Sequence, residues 1–321
     1  MILDDMLSKQ EIIVLDGAIG GEIDRLGGAM DPTAWCGVTT KTHPEVVRQV
    51  HELYLKVGVN VVTANTFANC RHVLASAGLA DETVSITARA VELAREAVNE
   101  AAPDRPVAIA GSMSNHVAWI PGTFSPDPQF LPTPAEHAAN HRELAEALAE
   151  AGVDLIITEM MTDIDDASRV VQAATETGLP VWVGLSCSLL PDGGVAAWDM
   201  HIEEPAERLD PDHAKKETKP FTPIIEALMS FEPQVMGIMH SKVDTMGAGL
   251  KAFEHWSGPV MAYPEATGAG KVDPAAFAAY CRSYVEGGVQ IIGGCCGTSV
   301  GHILAMVGEL PNAIGARPAI P

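Results

Sequence analysis

The chain has 321 residues, of which 20 are basic and 42 acidic, for a formal charge of −22 at pH 7. That balance argues against nucleic acid as the main partner, because phosphate binding needs a basic footprint, and against an anionic membrane surface, which selects clustered Lys and Arg. Hydrophobic residues make up 47%, enough for a full-size core.

Met1-Ile2-Leu3-Asp4-Asp5 carries acid where a secretion signal has its basic region. The uncharged stretch 287–308 is long enough to span a bilayer, but glycines interrupt it and it holds Gln290, Thr298, Ser299 and His302. It reads as a buried strand, a loop and a helix. The 6 cysteines do not form the dense pattern of a disulfide framework. A cytoplasmic protein with thiols available as ligands is expected, and nothing in the composition sets whether it forms a homo-oligomer.

In chain order, short, nearly all-apolar runs occur at 12–16, 59–65, 107–112, 153–159, 181–186, 235–240, 259–263 and 289–293. Each is followed by Gly, Ser, Thr, Asn or Pro, as parallel strands buried on both faces are. Between them, 45–57, 83–101, 135–151, 164–177 and 274–286 have the spacing of amphipathic helices. Thr42-His43-Pro44-Glu45, Thr133-Pro134-Ala135-Glu136 and Asp273-Pro274-Ala275-Ala276 mark helix starts. Gly58, Gly152 and Gly178 mark ends. Eight strands alternating with about eight helices predict an α/β protein, a (β/α)8 TIM barrel. An open doubly wound sheet is the rival, but no G-x-G-x-x-G follows the first strand. One domain over 1–321 is expected, with loop insertions near 116–134 and 190–220.

A barrel keeps its reactive groups where strands end. Those ends read Asp16-Gly17, Asn65-Thr66-Phe67, Ser112-Met113, Glu159-Met160, Ser186-Cys187, Met239-His240, Tyr263-Pro264-Glu265 and Gly293-Gly294-Cys295-Cys296-Gly297-Thr298. Lysine is missing from that rim, which leaves a Schiff base without a candidate. Adjacent strand residues point to opposite faces, so Cys295 and Cys296 could share a metal only if the flanking glycines supply unusual backbone angles. A soft thiolate pair suits Zn²⁺; the alternative is two buried cysteines packing as small hydrophobes.

With Asp16-Gly17-Ala18, Asn65-Thr66-Phe67, Glu159 and above all Gly-Gly-Cys-Cys-Gly-Thr, the sequence resembles the homocysteine S-methyltransferase family. That family includes betaine–homocysteine and S-methylmethionine–homocysteine methyltransferases and the homocysteine-binding barrel of methionine synthase. Thr42-His-Pro-Glu-Val-Val-Arg and Ser257-Gly-Pro-Val-Met-Ala-Tyr-Pro extend the likeness along the chain. The resemblance implies a (β/α)8 barrel, a small-molecule thiol acceptor and a methyl donor, and a Zn²⁺ that three cysteines hold against the acceptor's sulfur. Asp16, Gly17, Asn65 and Glu159 would meet the amino-acid substrate. Trp35, Trp119, Met160 and Tyr263 would border an onium donor, which aromatic faces recognise.

The sequence departs from that pattern at several places. The third cysteine, expected in Gly-(Ile/Val)-Asn-Cys, is replaced in Gly237-Ile238-Met239-His240. His240 is then the expected third ligand with Cys295 and Cys296, and Cys187 a weaker candidate. A neutral imidazole in place of a thiolate would make the bound sulfur less electron-rich. Met160 stands where the betaine enzymes have tyrosine, Glu265 where the family has asparagine, and Asn115-His116-Val117 where it has Gly-Pro-Tyr. The alternatives are a diverged barrel with another acceptor or without metal, and a non-catalytic barrel that binds a thiol or a metal.

Overall fold

The computed structural model describes residues 3–123, 125–199, 202, 218–267 and 272–315. Ten strands occur among them: β1 (Ile13–Val14), β2 (Val61–Thr63), β3 (Ala108–Ser114), β4 (Leu155–Met161), β5 (Val181–Leu185), β6 (Cys187–Leu189), β7 (Val195–Ala197), β8 (Val235–Lys242), β9 (Val260–Glu265) and β10 (Ile291–Ile292). Eight form one parallel sheet in the order β1-β10-β9-β8-β5-β4-β3-β2. A parallel bridge between Leu15 and Val61 joins its two ends. Asn60 reinforces that seam: its amide donates to the Val14 carbonyl at 2.8 Å, and its Oδ1 accepts from the Val14 amide at 2.9 Å. The expected (β/α)8 barrel is the observed fold.

Successive strand residues alternate between two buried clusters. Ile13, Leu15, Val61, Ala108, Ala110, Leu155, Ile157, Trp182, Val235, Met261 and Ile291 pack together inside the barrel, with Leu3 among them. Val14, Val62, Ile109, Ile156, Val183, Met236 and Ile292 pack outward against the helices. Burial of both faces is why these runs look uniformly apolar in sequence.

The outer layer includes helices Pro44–Val57, Thr83–Ala101, Pro134–Ala151, Ile164–Thr175, Phe221–Met229, Val243–Leu250, Pro274–Glu286 and Val300–Glu309. Thr133 and Glu136 form the expected capping box, and Asp273 accepts from the amides of Ala275 and Ala276. The start at Thr42 differs: His43 precedes the first turn, and no side chain caps it. Gly58 and Gly152 end their helices in the left-handed conformation, whereas the helix before Gly178 stops at Thr175.

Within 116–134, a single bridge, Trp119 to Pro126, is the only strand pairing among the described residues. An antiparallel hairpin of β6 and β7 straddles the start of the second expected insertion, 190–220. Its charged residues Glu203, Glu204, Glu207, Arg208, Lys215 and Lys216 lie outside the described residues. No helix among the described residues is long and apolar enough to cross a membrane.

Candidate metal and substrate site

After β10 the chain turns through Gly293-Gly294-Cys295-Cys296-Gly297 at the C-terminal rim. A Cβ on Gly293 would sit 2.6 Å from Leu15 Cβ, and one on Gly294 would sit 2.7 Å from Thr298 Oγ1. Close packing therefore explains these two glycines, and only Gly297, at φ +76°, uses the left-handed region. This corrects the expectation that both flanking glycines bend the backbone. The turn still brings the two sulfurs to 4.0 Å from each other, both half-buried.

His240 reaches them from β8. Three residue steps of β8 (Met239 to Lys242) span two of β9 (Tyr263 to Glu265), so one extra residue bulges, and His240 itself has φ +44°. A bulge re-aims side chains at a strand end, and here Nδ1 comes to 3.8 Å from Cys295 Sγ and 3.4 Å from Cys296 Sγ. The three donor atoms all lie within 4.8 Å of one another, a group able to hold a metal ion. Cys187 is not in that group; it is buried in β6, where its sulfur packs against Gly249.

The same Nδ1 lies 2.9 Å from Glu265 Oε1, and the other carboxylate oxygen accepts from the Thr267 hydroxyl. Burial by itself would lower the His240 imidazole and raise Glu265. Instead, the Cys296 sulfur and the carboxylate hold the imidazole well above its usual value, and the imidazole holds Glu265 below its own. Cys296 is lowered by the Cys295 thiol and by His240, while Cys295 is raised by sharing its proton with Cys296. Around one small volume, Cys296, His240 and Glu265 are thus each pushed toward their ionised forms, and Cys295 away from its own.

Two more carboxylates lie nearby. Asp16 accepts from the Thr63 amide at 2.6 Å and its hydroxyl at 2.9 Å, and burial raises it to about 7. Glu159 accepts from the Ser112 hydroxyl and is likewise pushed by burial to about 7. Tyr263 is buried, and its hydroxyl lies close to the Glu159 carboxylate. Met160 repeats the device seen at His240, with φ +58° in a bulge of β4 between Thr158 and Met161.

Gly17 is required by packing, since a Cβ there would be 2.7 Å from the Tyr54 hydroxyl oxygen. Asn65 spends its amide nitrogen on the Cys36 carbonyl at 2.9 Å and the Thr40 hydroxyl at 3.1 Å, which ties down the loop after β1. Trp35 and Trp119 belong to one aromatic run. Trp35 meets Phe67 edge-on at 5.6 Å, Phe67 meets His116 at 5.5 Å, and His116 meets Trp119 at 5.5 Å. Trp198 adds an edge contact to His240 at 5.3 Å. Glu265, Phe67, His116 and Trp198 were not among the candidates from sequence. Glu265 had a visible signal, as a carboxylate at a strand end in place of an amide, whereas Trp198 depends on the unforeseen hairpin.

Fold and site together define a barrel enzyme with thiol and imidazole donors at its rim beside paired buried acids. The sequence profile of the homocysteine S-methyltransferase family matches residues 13–310, and the chain belongs to that family. Betaine–homocysteine S-methyltransferase 1 of Danio rerio is 27% identical over an alignment 338 positions long, covering 98% of this chain and 76% of the relative. Homocysteine S-methyltransferase of Escherichia coli K12 is 24% identical over 322, covering 94% and 96%. The crystal structure of the metallated homocysteine methyltransferase MmuM from Escherichia coli shares the fold, with a TM-score of 0.72 at 21% identity over 96% of this chain and all of that one.

Proposed function

We propose that the protein moves a methyl group from an onium donor, of the S-methylmethionine, dimethylsulfoniopropionate or betaine type, to the sulfur of homocysteine or a related thiol. The carrying observation is the convergence of His240, Cys295 and Cys296 beside Asp16 and Glu159. The donor separations suit zinc. Tetrahedral ligation with Zn–S about 2.3 Å and Zn–N about 2.0 Å puts neighbouring sulfurs about 3.8 Å apart and sulfur and nitrogen about 3.5 Å apart. The separations here are 4.0 Å between sulfurs and 3.4 and 3.8 Å to nitrogen. Zinc held there supplies a thiolate at neutral pH by displacing the thiol proton.

The chain's own residues bind and orient. Asp16 and Glu159 supply two negative charges for the substrate ammonium, with Gly17 and Asn65 shaping the wall behind them. Tyr263, buried beside Glu159, would border the same space. Trp35 and Trp119, joined through Phe67 and His116, offer a cation-friendly lining for the donor, with Met160 as a further expected neighbour. The sulfur–methyl bond forms as the donor's onium–methyl bond breaks, and the donor's nitrogen or sulfur is left neutral. The enzyme's contribution is alignment and exclusion of water. Cys295 and Cys296 must stay reduced to serve, which suits a cytoplasmic setting.

The test combines elemental analysis of protein purified without added metal with turnover of homocysteine against the three donor classes. About one zinc per chain, lost in Cys295→Ser together with methionine formation, is expected. Methionine formation that survives in metal-free protein would defeat the proposal.

A further inference from the structure

We infer that His240 and Glu265 act as one unit, in which the Glu265 carboxylate supplies, beside the metal, the negative charge that a cysteine at 240 would have carried; this rests on the zinc reading above. Three thiolates on a divalent ion leave a charge of 2 − 3 = −1, whereas two thiolates and a neutral imidazole leave 2 − 2 = 0. Adding Glu265 returns the sum to −1.

Geometry distinguishes this role from a commoner one. A carboxylate that merely orients a histidine ligand sits on the ring nitrogen remote from the ion. Here Oε1 lies 2.9 Å from Nδ1, the same nitrogen that faces both sulfurs. Nδ1 thus faces the carboxylate and both sulfurs, and a metal cation among them would meet the carboxylate as well.

The backbone holds Glu265 in that place. The Cys295 amide donates to the Pro264 carbonyl at 2.9 Å, and the Ala266 amide donates to the Cys296 carbonyl at 2.8 Å. These two bonds bracket Glu265 and fasten β9 to the cysteine turn. Thr267 fixes the second carboxylate oxygen. Glu265 is only 7% exposed, so its charge needs cations close by; Lys242, its register partner on β8, is one, and a metal in the cluster would be another.

A double-mutant cycle on zinc affinity tests the unit, using competition with a chromogenic chelator at fixed pH. Glu265→Gln is expected to weaken zinc at least about tenfold when residue 240 is His, and less than about threefold when it is Cys. Equal factors in the two backgrounds, or no effect in either, would overturn the unit. If wild type retains no zinc, and behaves as Cys296→Ser does, the zinc reading itself fails instead. Circular dichroism of each variant checks folding. Should Glu265→Gln not fold, Thr267→Val decides: it frees the carboxylate without touching a donor, and unchanged zinc affinity there would count against the unit.

Discussion

On the proposed reading, Asp16 is a single side chain kept ready for a ligand. Its carboxylate is buried, and its hydrogen bonds come from the neutral groups of Thr63. Burial first, then repulsion from Glu159, outweighs those bonds and raises it to about 7. At lower pH a proton fills the space; above pH 7 the charge awaits a cation. Methionine, which has an ammonium but no thiol, isolates this effect from the metal. Its affinity, measured by calorimetry, is expected to rise between about pH 6 and pH 8 as both acids ionise. Asp16→Asn should weaken it by about ten- to a hundredfold at pH 8, the scale of a charged hydrogen bond, and flatten the pH dependence. Affinity independent of pH in wild type would remove Asp16 and Glu159 from the ammonium site.

At the scale of elements, two strands carry the site by the same means. β4 and β8 each bulge near their C-terminal ends, and each places a non-glycine residue, Met160 or His240, in the left-handed region. Such strain of order 1–3 kcal/mol persists only where the surroundings enforce it. One enforcing contact is Gly237, where a Cβ would lie 1.9 Å from the Met261 carbonyl oxygen. Gly237→Ala must push β8 from β9, and a loss of more than about 3 kcal/mol in chemical denaturation is expected, along with weaker zinc retention. Thr133→Ala, which removes an exposed capping box at the start of the Pro134–Ala151 helix, should cost only about 1 kcal/mol and leave zinc untouched. Similar losses in the two variants would mean that β8 tolerates displacement. The strands were legible in sequence because burial on both faces leaves unbroken apolar runs. The β6–β7 hairpin was not, since two three-residue strands are too short to show alternation. The His240–Glu265 pairing was also hidden: each residue read as a separate departure from a family motif, and only adjacent strands with a bulge between them reveal the contact.

For the whole molecule, a site built of buried acids sets a pH dependence of stability. Asp16 and Glu159 rise from ordinary values of 3.8 and 4.5 to about 7 in the folded chain. The folded state therefore binds more protons than the unfolded one between those limits. The stability this contributes is complete below about pH 4 and is lost as pH climbs through 7. Each shift of about 3 units corresponds to at most about 4 kcal/mol, an upper bound because water reaches and relaxes such sites. Glu265 runs the other way: its depressed value adds stability above its unfolded value, lost as pH falls through the folded one. Replacing Asp16 by Asn and Glu159 by Gln together removes the first effect and leaves the second. The double variant without ligand should melt close to wild type at pH 5 and several degrees above it at pH 8, while binding methionine worse at pH 8 and about equally at pH 5. Such a reversal is the signature of residues kept for a ligand at the expense of the fold. A variant melting below wild type at pH 8 would instead give Asp16 and Glu159 a structural role, with Thr63 and Ser112 as their true partners.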